Sequence, residues 1–321
     1  MKYTELGLVN TKKLFADALA NNYAIPAFNI YNMETLTAVI DAGRIAHSPI
    51  IIAVSESALK YMGSDMLIGM IRGAKISSDE GFALHLDHGK NFDICKHAIE
   101  LGFSSVMIDA SKLSLNDNIN TTKQVVDFAH QHNISVEAEL GTLAGIEDED
   151  TFGTTSTYTN PDDVETFVNA TDIDSLAIAI GTSHGAYKRK RDDEELQFNI
   201  LSEIARRLPQ FPLVLHGASS IPQSLITTIN EFGGKLSGAR GIDDTQLRRA
   251  TQMNICKINV DSDLRLAFTA AIRKSLSENP DNFNPREFLS AARTEMTQTC
   301  LSEIKNIMGS DDKTNTYTPK F

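Results

Sequence analysis

Between Tyr23 and about Asn279, short runs of β-branched and aliphatic residues alternate eight times with segments whose apolar residues recur at helical spacing. The runs are Tyr23–Ile30, Pro49–Ser55, Phe82–Asp87, Ser105–Ala110, Ser135–Gly141, Ser175–Ile180, Pro212–Gly217 and Asn254–Val260. Between them, Leu201, Ile204, Ala205 and Leu208 follow i, i+3, i+4, i+7, as do Leu264, Ala267, Phe268 and Ala271. Gly102 and Asn133, residues tolerant of left-handed backbone, end two of these segments just before the next run. Repeated strand–helix alternation dictates parallel strands joined by helical crossovers, and eight units close a (β/α)8 barrel. The competing open, doubly wound sheet usually has a glycine-rich turn after its first strand, where this chain has Phe28-Asn29-Ile30-Tyr31-Asn32. An α/β fold of TIM-barrel type is therefore predicted. A helix at Thr11–Asn21 would cover the barrel bottom, and an extra helix would span Pro285–Met308. Residues 1–308 read as one barrel domain, and Gly309–Phe321 as a polar, frayed tail.

The 321 residues are ample for a core of this size, and a net charge of −12 argues against non-specific nucleic-acid binding. Cys95, Cys256 and Cys300 are odd in number and lack ligand spacing, so they read as reduced thiols of a cytoplasmic protein. The chain has no run of about 18 apolar residues, and its start, MKYTELGLVN, lacks the apolar stretch of a secretory leader. Neither a membrane nor a nucleic acid is an expected partner.

Strands of a parallel barrel are buried on both faces, so an ionisable side chain there is costly unless paired or metal-bound. Most of the predicted strands nevertheless end in such groups: His85-Leu86-Asp87-His88, Asp109, Glu137-Ala138-Glu139, His184, His216 and Asn259-Val260-Asp261. These are C-terminal strand ends, the face on which barrel enzymes assemble their sites. His88, His184 and His216 belong to three different strand–loop units, and each precedes a glycine. Three imidazoles with an open fourth position suit a catalytic Zn2+. By strand periodicity His85 and Asp87 share a face, while His88 falls where the chain turns into its loop; His88 is assigned as the ligand and His85 as a supporting residue. Asp87, beside that metal, reads as a proton shuttle on a substrate hydroxyl, against the plainer role of orienting a ligand. Asp109 and Glu139 offer a second metal position or electrostatic support, and Glu137 reads as an internally satisfied carboxylate. Taken alone, Glu147 is a solvated loop charge. The loops Gly217-Ala218-Ser219 and Asp261-Ser262 occupy the fold's usual phosphate position, and the second opens a helix. The plainer reading there is a helix cap. Lys188 leads a basic run just after His184 and is a candidate for an anion.

Two segments, Phe82-Ala83-Leu84-His85-Leu86-Asp87-His88-Gly89 and Val136-Glu137-Ala138-Glu139-Leu140-Gly141 with Gly145 and Glu147, resemble the signatures of class II, metal-dependent fructose-bisphosphate aldolases. Residues 181–188, 216–219 and 259–263 fit that family in the same order, so the resemblance runs from about Val9 to Met308. Tagatose-bisphosphate aldolases share almost all of these motifs. The resemblance implies reversible cleavage of fructose 1,6-bisphosphate to dihydroxyacetone phosphate and glyceraldehyde 3-phosphate through a zinc-stabilised enediolate. It implies zinc on His88, His184 and His216, Asp87 exchanging the C4 hydroxyl proton, and Glu147 moving the proton on the enediolate carbon. Asn259 and Asp261 would contact the ketose. Gly185, Lys188, Gly217, Ser219 and Ser262 would surround one phosphate, with Asn29 and Ser55 completing the substrate contacts. A monovalent cation is a further implied cofactor. Arg265 matches an arginine that family members place at the other phosphate of a neighbouring subunit, implying a homodimer or homotetramer. No strand-end lysine is then required, and Lys257 reads as structural. Ala144, Ser262 and Lys112-Leu113 depart from the family pattern without removing a ligand or base. Asn284 stands where some fructose-selective members carry Asp, which leaves the preferred C4 epimer open. A metal-dependent hydrolase on the same barrel is the remote alternative; such enzymes tend to place His-x-His on the first strand, where Phe28-Asn29-Ile30 has none.

Overall fold

The computed structural model describes residues 1–147, 150–151, 156–186 and 195–314. The expected strands are present as β1 (Ile25–Asn29), β2 (Ile50–Ser55), β3 (Phe82–Gly89), β4 (Ser105–Ile108), β5 (Ser135–Leu140), β6 (Ser175–Ile178), β7 (Leu213–Leu215) and β8 (Ile255–Val260). All pair in parallel, and β8 returns beside β1 to close the barrel, with Ile25 opposite Lys257. The pleat sends alternate residues to opposite faces. Phe28, Ile52, Leu84, Val106, Val136, Leu176 and Ile258 join Val39, Ile99, Val125, Phe167 and Ile204 of the surrounding helices in one apolar layer. Ile25, Ala27, Ile51, Ala53 and Ala83 instead pack with Leu14 and Phe15 of the first helix. Because both faces are buried, the strands read in sequence as continuous apolar runs rather than as alternation.

The helical layer comprises α1 (Thr11–Asn21), α2 (Met33–Ala46), α3 (Glu56–Met62), α4 (Ser64–Gly73), α5 (Phe92–Leu101), α6 (Leu115–Gln131), α7 (Pro161–Thr171), α8 (Phe198–Arg207), α9 (Gln223–Glu231), α10 (Asp244–Ala250), α11 (Ser262–Glu278) and α12 (Pro285–Ser302). Local chemistry fixes their starts. Asn32 and Thr35 form a reciprocal capping box on α2, and Asn10, Ser55, Asn91 and Ser114 cap α1, α3, α5 and α6. None of the described helices is long and apolar enough to cross a membrane.

Three departures from the sequence-based expectation have physical causes. β3 runs two residues further than periodicity suggests, through a bulge described below. The C-terminal helix changes hand-off at Ser302, where α12 gives way to a π-helical turn, Glu303–Met308. The start of the expected frayed tail is held: Ser310 is buried with its hydroxyl 2.7 Å from that of Ser48, and the N–H groups of Asp312, Lys313 and Thr314 donate to the carbonyls of Ala46 and His47. Those carbonyls end α2 and would otherwise lack partners. A short antiparallel hairpin, Ile146–Glu147 with Asp150–Thr151, also follows β5.

Phe28 is fully buried between β1 and the helical layer. Phe28→Ala is expected to lower stability by about 3–5 kcal/mol, read from denaturant unfolding, with a loss under about 1 kcal/mol contradicting this packing.

Candidate active site

Asp87 and His88 are consecutive, so a regular pleat would turn them to opposite faces. The β3–β4 register slips between Leu86 and Gly89, and His88 adopts left-handed backbone at φ 51°. This bulge brings both side chains to the same space: ligand-type atoms of Asp87, His88 and His216 lie within 4.8 Å of one another. His88 therefore belongs to the strand itself and not, as the periodicity suggested, to the following loop. The His88 ring centroid is 4.5 Å from that of His216 and 5.1 Å from that of His184. Two glycines let the backbone press close around His184. A Cβ on Gly145 would fall 2.3 Å from the His184 carbonyl oxygen, and one on Gly217 would fall 2.5 Å from the Ser183 carbonyl carbon.

Carboxylates orient His88 and His216 from behind. His88 Nδ1–H donates to Asp109 Oδ2 at 3.1 Å, and Asp109 also accepts the N–H and hydroxyl of Ser111. Burial alone would raise the Asp109 carboxyl, but His88 and Ser111 outweigh it and hold the group well below the usual range. His216 Nε2–H donates to Glu137 Oε1 at 2.7 Å. Burial first, and then Lys257, favour the neutral imidazole of His216. Its Nδ1 is buried and has no hydrogen-bond partner among the described residues. A neutral ring with one nitrogen committed to a carboxylate and the other lone pair facing neighbouring imidazoles fits a divalent metal ion. His88, Asp109 and Glu139 form a second group of closely spaced ligand-type atoms.

Lys257 lies beneath these imidazoles, fully buried. Its Nζ donates to both oxygens of Glu137 at 2.9 Å and approaches His85 Nε2 at 3.3 Å, while His85 Nδ1 meets Ser105 Oγ at 2.8 Å. Burial, then Lys257, pushes the His85 imidazole down to about 3. Burial would raise Glu137, yet Lys257 and His216 keep it ionised and far below the ordinary range. Lys257, expected to be merely structural, thus supports His216 through Glu137. Its signal in the sequence was a cation on a fully buried strand; the partner became visible only once the barrel closed.

Asp87 is fully buried and clamped: Asn29 Nδ2 donates to Oδ2 and Asn259 Nδ2 to Oδ1, both at 2.9 Å. Its Oδ1 stands 3.8 Å from His216 Nδ1. Ser55 is the register partner of Asp87 on β2 and caps α3 through the Ala58 N–H. Asp261 precedes α11 and accepts from Arg265 Nε at 2.9 Å; burial raises its carboxyl despite that cation. Arg265 also donates to the Tyr31 hydroxyl and lies 4.5 Å over the Tyr31 ring, a partner the sequence reading missed. Gly217 and Ser219 lie after β7, Ser262 opens α11, and Gly185 follows His184. The Glu147 backbone lies in the hairpin, but its side chain, like all of Lys188, falls outside the described residues. Asn284 serves α12 as its cap, accepting the Arg286 N–H.

A family model described as fructose-bisphosphate aldolase class-II matches residues 9–313. The fructose-bisphosphate aldolase of Treponema pallidum (strain Nichols) is 46% identical, across 96% of this chain and 98% of its own. That of Giardia intestinalis is 42% identical, across 93% and 92%. Among solved structures, the YdjI aldolase from Escherichia coli K12 superposes with a TM-score of 0.75 at 31% identity, covering 96% of this chain and all of that one.

Lys257→Met strands the Glu137 carboxylate, and a loss of about 3–5 kcal/mol is expected in chemical unfolding. Adding Glu137→Gln should restore more than half of it; a single variant as stable as the parent would show that the pair is not load-sharing.

Proposed function

The chain belongs to the class II fructose-bisphosphate aldolase family, and from that premise we propose that it reversibly cleaves fructose 1,6-bisphosphate to dihydroxyacetone phosphate and glyceraldehyde 3-phosphate. The observation that carries this reading is a buried carboxylate, Asp87, held by two asparagine amides and 3.8 Å from an imidazole nitrogen turned into the same space. Bound by His88, His184 and His216, a divalent metal, Zn2+ by the preference of imidazole donors, would supply Lewis-acid stabilisation of the negative charge that develops on the substrate.

The protein's own groups do the rest. Asn29 and Asn259 fix both Asp87 oxygens, so the carboxylate meets the C4 hydroxyl in one orientation and removes its proton as the C3–C4 bond breaks. The electron pair of that bond stays on the C3 fragment, where Glu147 delivers a proton; C4 leaves as the aldehyde carbon. In condensation the same groups work in reverse. Asn259 and Asp261 orient the ketose. Gly185, Lys188, Gly217, Ser219 and Ser262, with the free N–H groups opening α11, hold the dihydroxyacetone phosphate end. Asn29 and Ser55 complete the substrate contacts, and Asp109 and Glu139 provide a second metal position or electrostatic support. A monovalent cation is a further cofactor. Arg265 serves the other phosphate in a neighbouring subunit of a cytoplasmic homodimer or homotetramer, and residues 1–308 act as one catalytic domain.

EDTA should abolish aldol cleavage and Zn2+ restore it, whereas borohydride added with substrate should leave activity intact; chelator-resistant turnover would reject the mechanism. Asp87→Ala should retain its metal by elemental analysis and lose at least about 100-fold in kcat. Near-normal turnover would remove Asp87 from the proton-transfer role.

A further inference from the structure

Behind the loop that follows β7, three carboxyl groups converge away from the metal-binding residues. Asp263, in the first turn of α11, is fully buried; its Oδ2 accepts the Ser220 N–H at 2.8 Å and its Oδ1 the Ile221 N–H at 2.7 Å. Glu303, first residue of the π-helical turn, is also buried, hydrogen-bonds the Asp263 carboxyl and faces Ser220 Oγ at 3.5 Å. Ser220 is hydrogen-bonded as well to Asp244 of α10.

The loop held by these groups is tightly constrained. Ile221 is β-branched yet sits at φ 54°, a backbone conformation that persists only where surrounding contacts over-determine it. Ile242 N–H donates to the Ser219 carbonyl, and a Cβ on Gly241 would fall 2.2 Å from the Ser220 carbonyl oxygen. Two backbone donors, one on each Asp263 oxygen, suit the ionised form of that side chain. The hydrogen between the two carboxyls therefore belongs to Glu303, which donates to Asp263.

We propose that the hydrogen-bonded pair Glu303–Asp263 positions the phosphate-binding loop: Glu303 orients Asp263, Asp263 fastens the Ser220–Ile221 turn, and the turn presents Ser219 opposite Ser262. The proposal rests on the phosphate assignment made above. The pair touches neither the breaking bond nor the metal ligands, so it governs substrate affinity and leaves the chemical step alone. Facing Glu303 are Asp263 from α11, Asp244 from α10, Cys300 one turn earlier on α12 and Ser220 from the loop; Arg248 of α10 engages the far end of the same π-helical turn through the Met308 carbonyl. Burial, followed by Asp263 and Asp244, pushes the Glu303 carboxyl well above its ordinary range. The brace is therefore intact below that raised value and is lost as pH rises through it, when two carboxylates are left in contact. A cleft of about 710 Å³ lined by Ser220, Asp244 and Glu303 opens behind the pair and gives the proton a way out.

The test measures KM and kcat on fructose 1,6-bisphosphate, and competitive inhibition by inorganic phosphate, from neutral to alkaline pH. For the parent, KM and the phosphate inhibition constant should rise together with pH while kcat holds. Glu303→Gln keeps the donor without the ionisation, so it should match the parent at neutral pH and stay flat above it. Asp263→Asn should raise both constants about tenfold or more at every pH, with metal content unchanged. The proposal is overturned if Asp263→Asn shows parental constants, or if Glu303→Gln keeps the alkaline rise; the second arm decides alone should Asp263→Asn not fold. If phosphate fails to inhibit even the parent protein, the phosphate assignment itself falls and takes the pair's role with it, an outcome distinct from equal inhibition of parent and variants.

Discussion

A charged carboxylate in the middle of a closed barrel is costly unless strong partners meet it, and for Glu137 the contact with Lys257 meets that demand. A buried ion pair is weak evidence for stability, since apolar residues of similar volume often do as well. Its value here is geometric. With both oxygens of Glu137 engaged by one ammonium, the carboxylate has a fixed direction in which to accept from His216, and the imidazole has one tautomer. Asp109 performs the same service for His88 from the neighbouring strand. Two of the three clustered imidazoles are thus aimed by carboxylates behind them.

Much of this was legible in the sequence. Eight apolar runs separated by helical segments specified the barrel, and His88, His184 and His216 each stood before a glycine at a strand end. The structure gives those glycines a reason at Gly217, where a side chain would collide with the backbone beside His184. What could not be read depended on closure or on local breaks in periodicity. Period-two counting cannot anticipate a bulge, so Asp87 and His88 looked divergent although they converge. Lys257 and Glu137 sit on strands far apart in the chain, and only their placement across one interior makes them partners. Asn284, weighed as a mark of substrate preference, spends its side chain on capping a helix.

The phosphate side obeys a different constraint. A chain of net charge −12 has to hold a sugar carrying two phosphates with local donors. Backbone N–H groups at the start of α11 carry no net charge and are available whatever the global balance. The carboxylates nearby are directed away from that space: Asp261 onto Arg265, and Asp263 onto the amides of Ser220 and Ile221. Acidic side chains beside the proposed anion-binding position are thus occupied as internal acceptors.

The pairing of Ile25 with Lys257 has a consequence for how the protein is made. While the ribosome is still reading the final segments, β1 has no neighbour on one side, and its row of unsatisfied amides and carbonyls stands open along a highly apolar strand. Non-local pairing of this kind is slow to form, and such intermediates are prone to associate with one another. The nascent chain therefore spends most of its synthesis as an open ribbon, and its exposure to chaperones and to aggregation is set by the last strand to emerge.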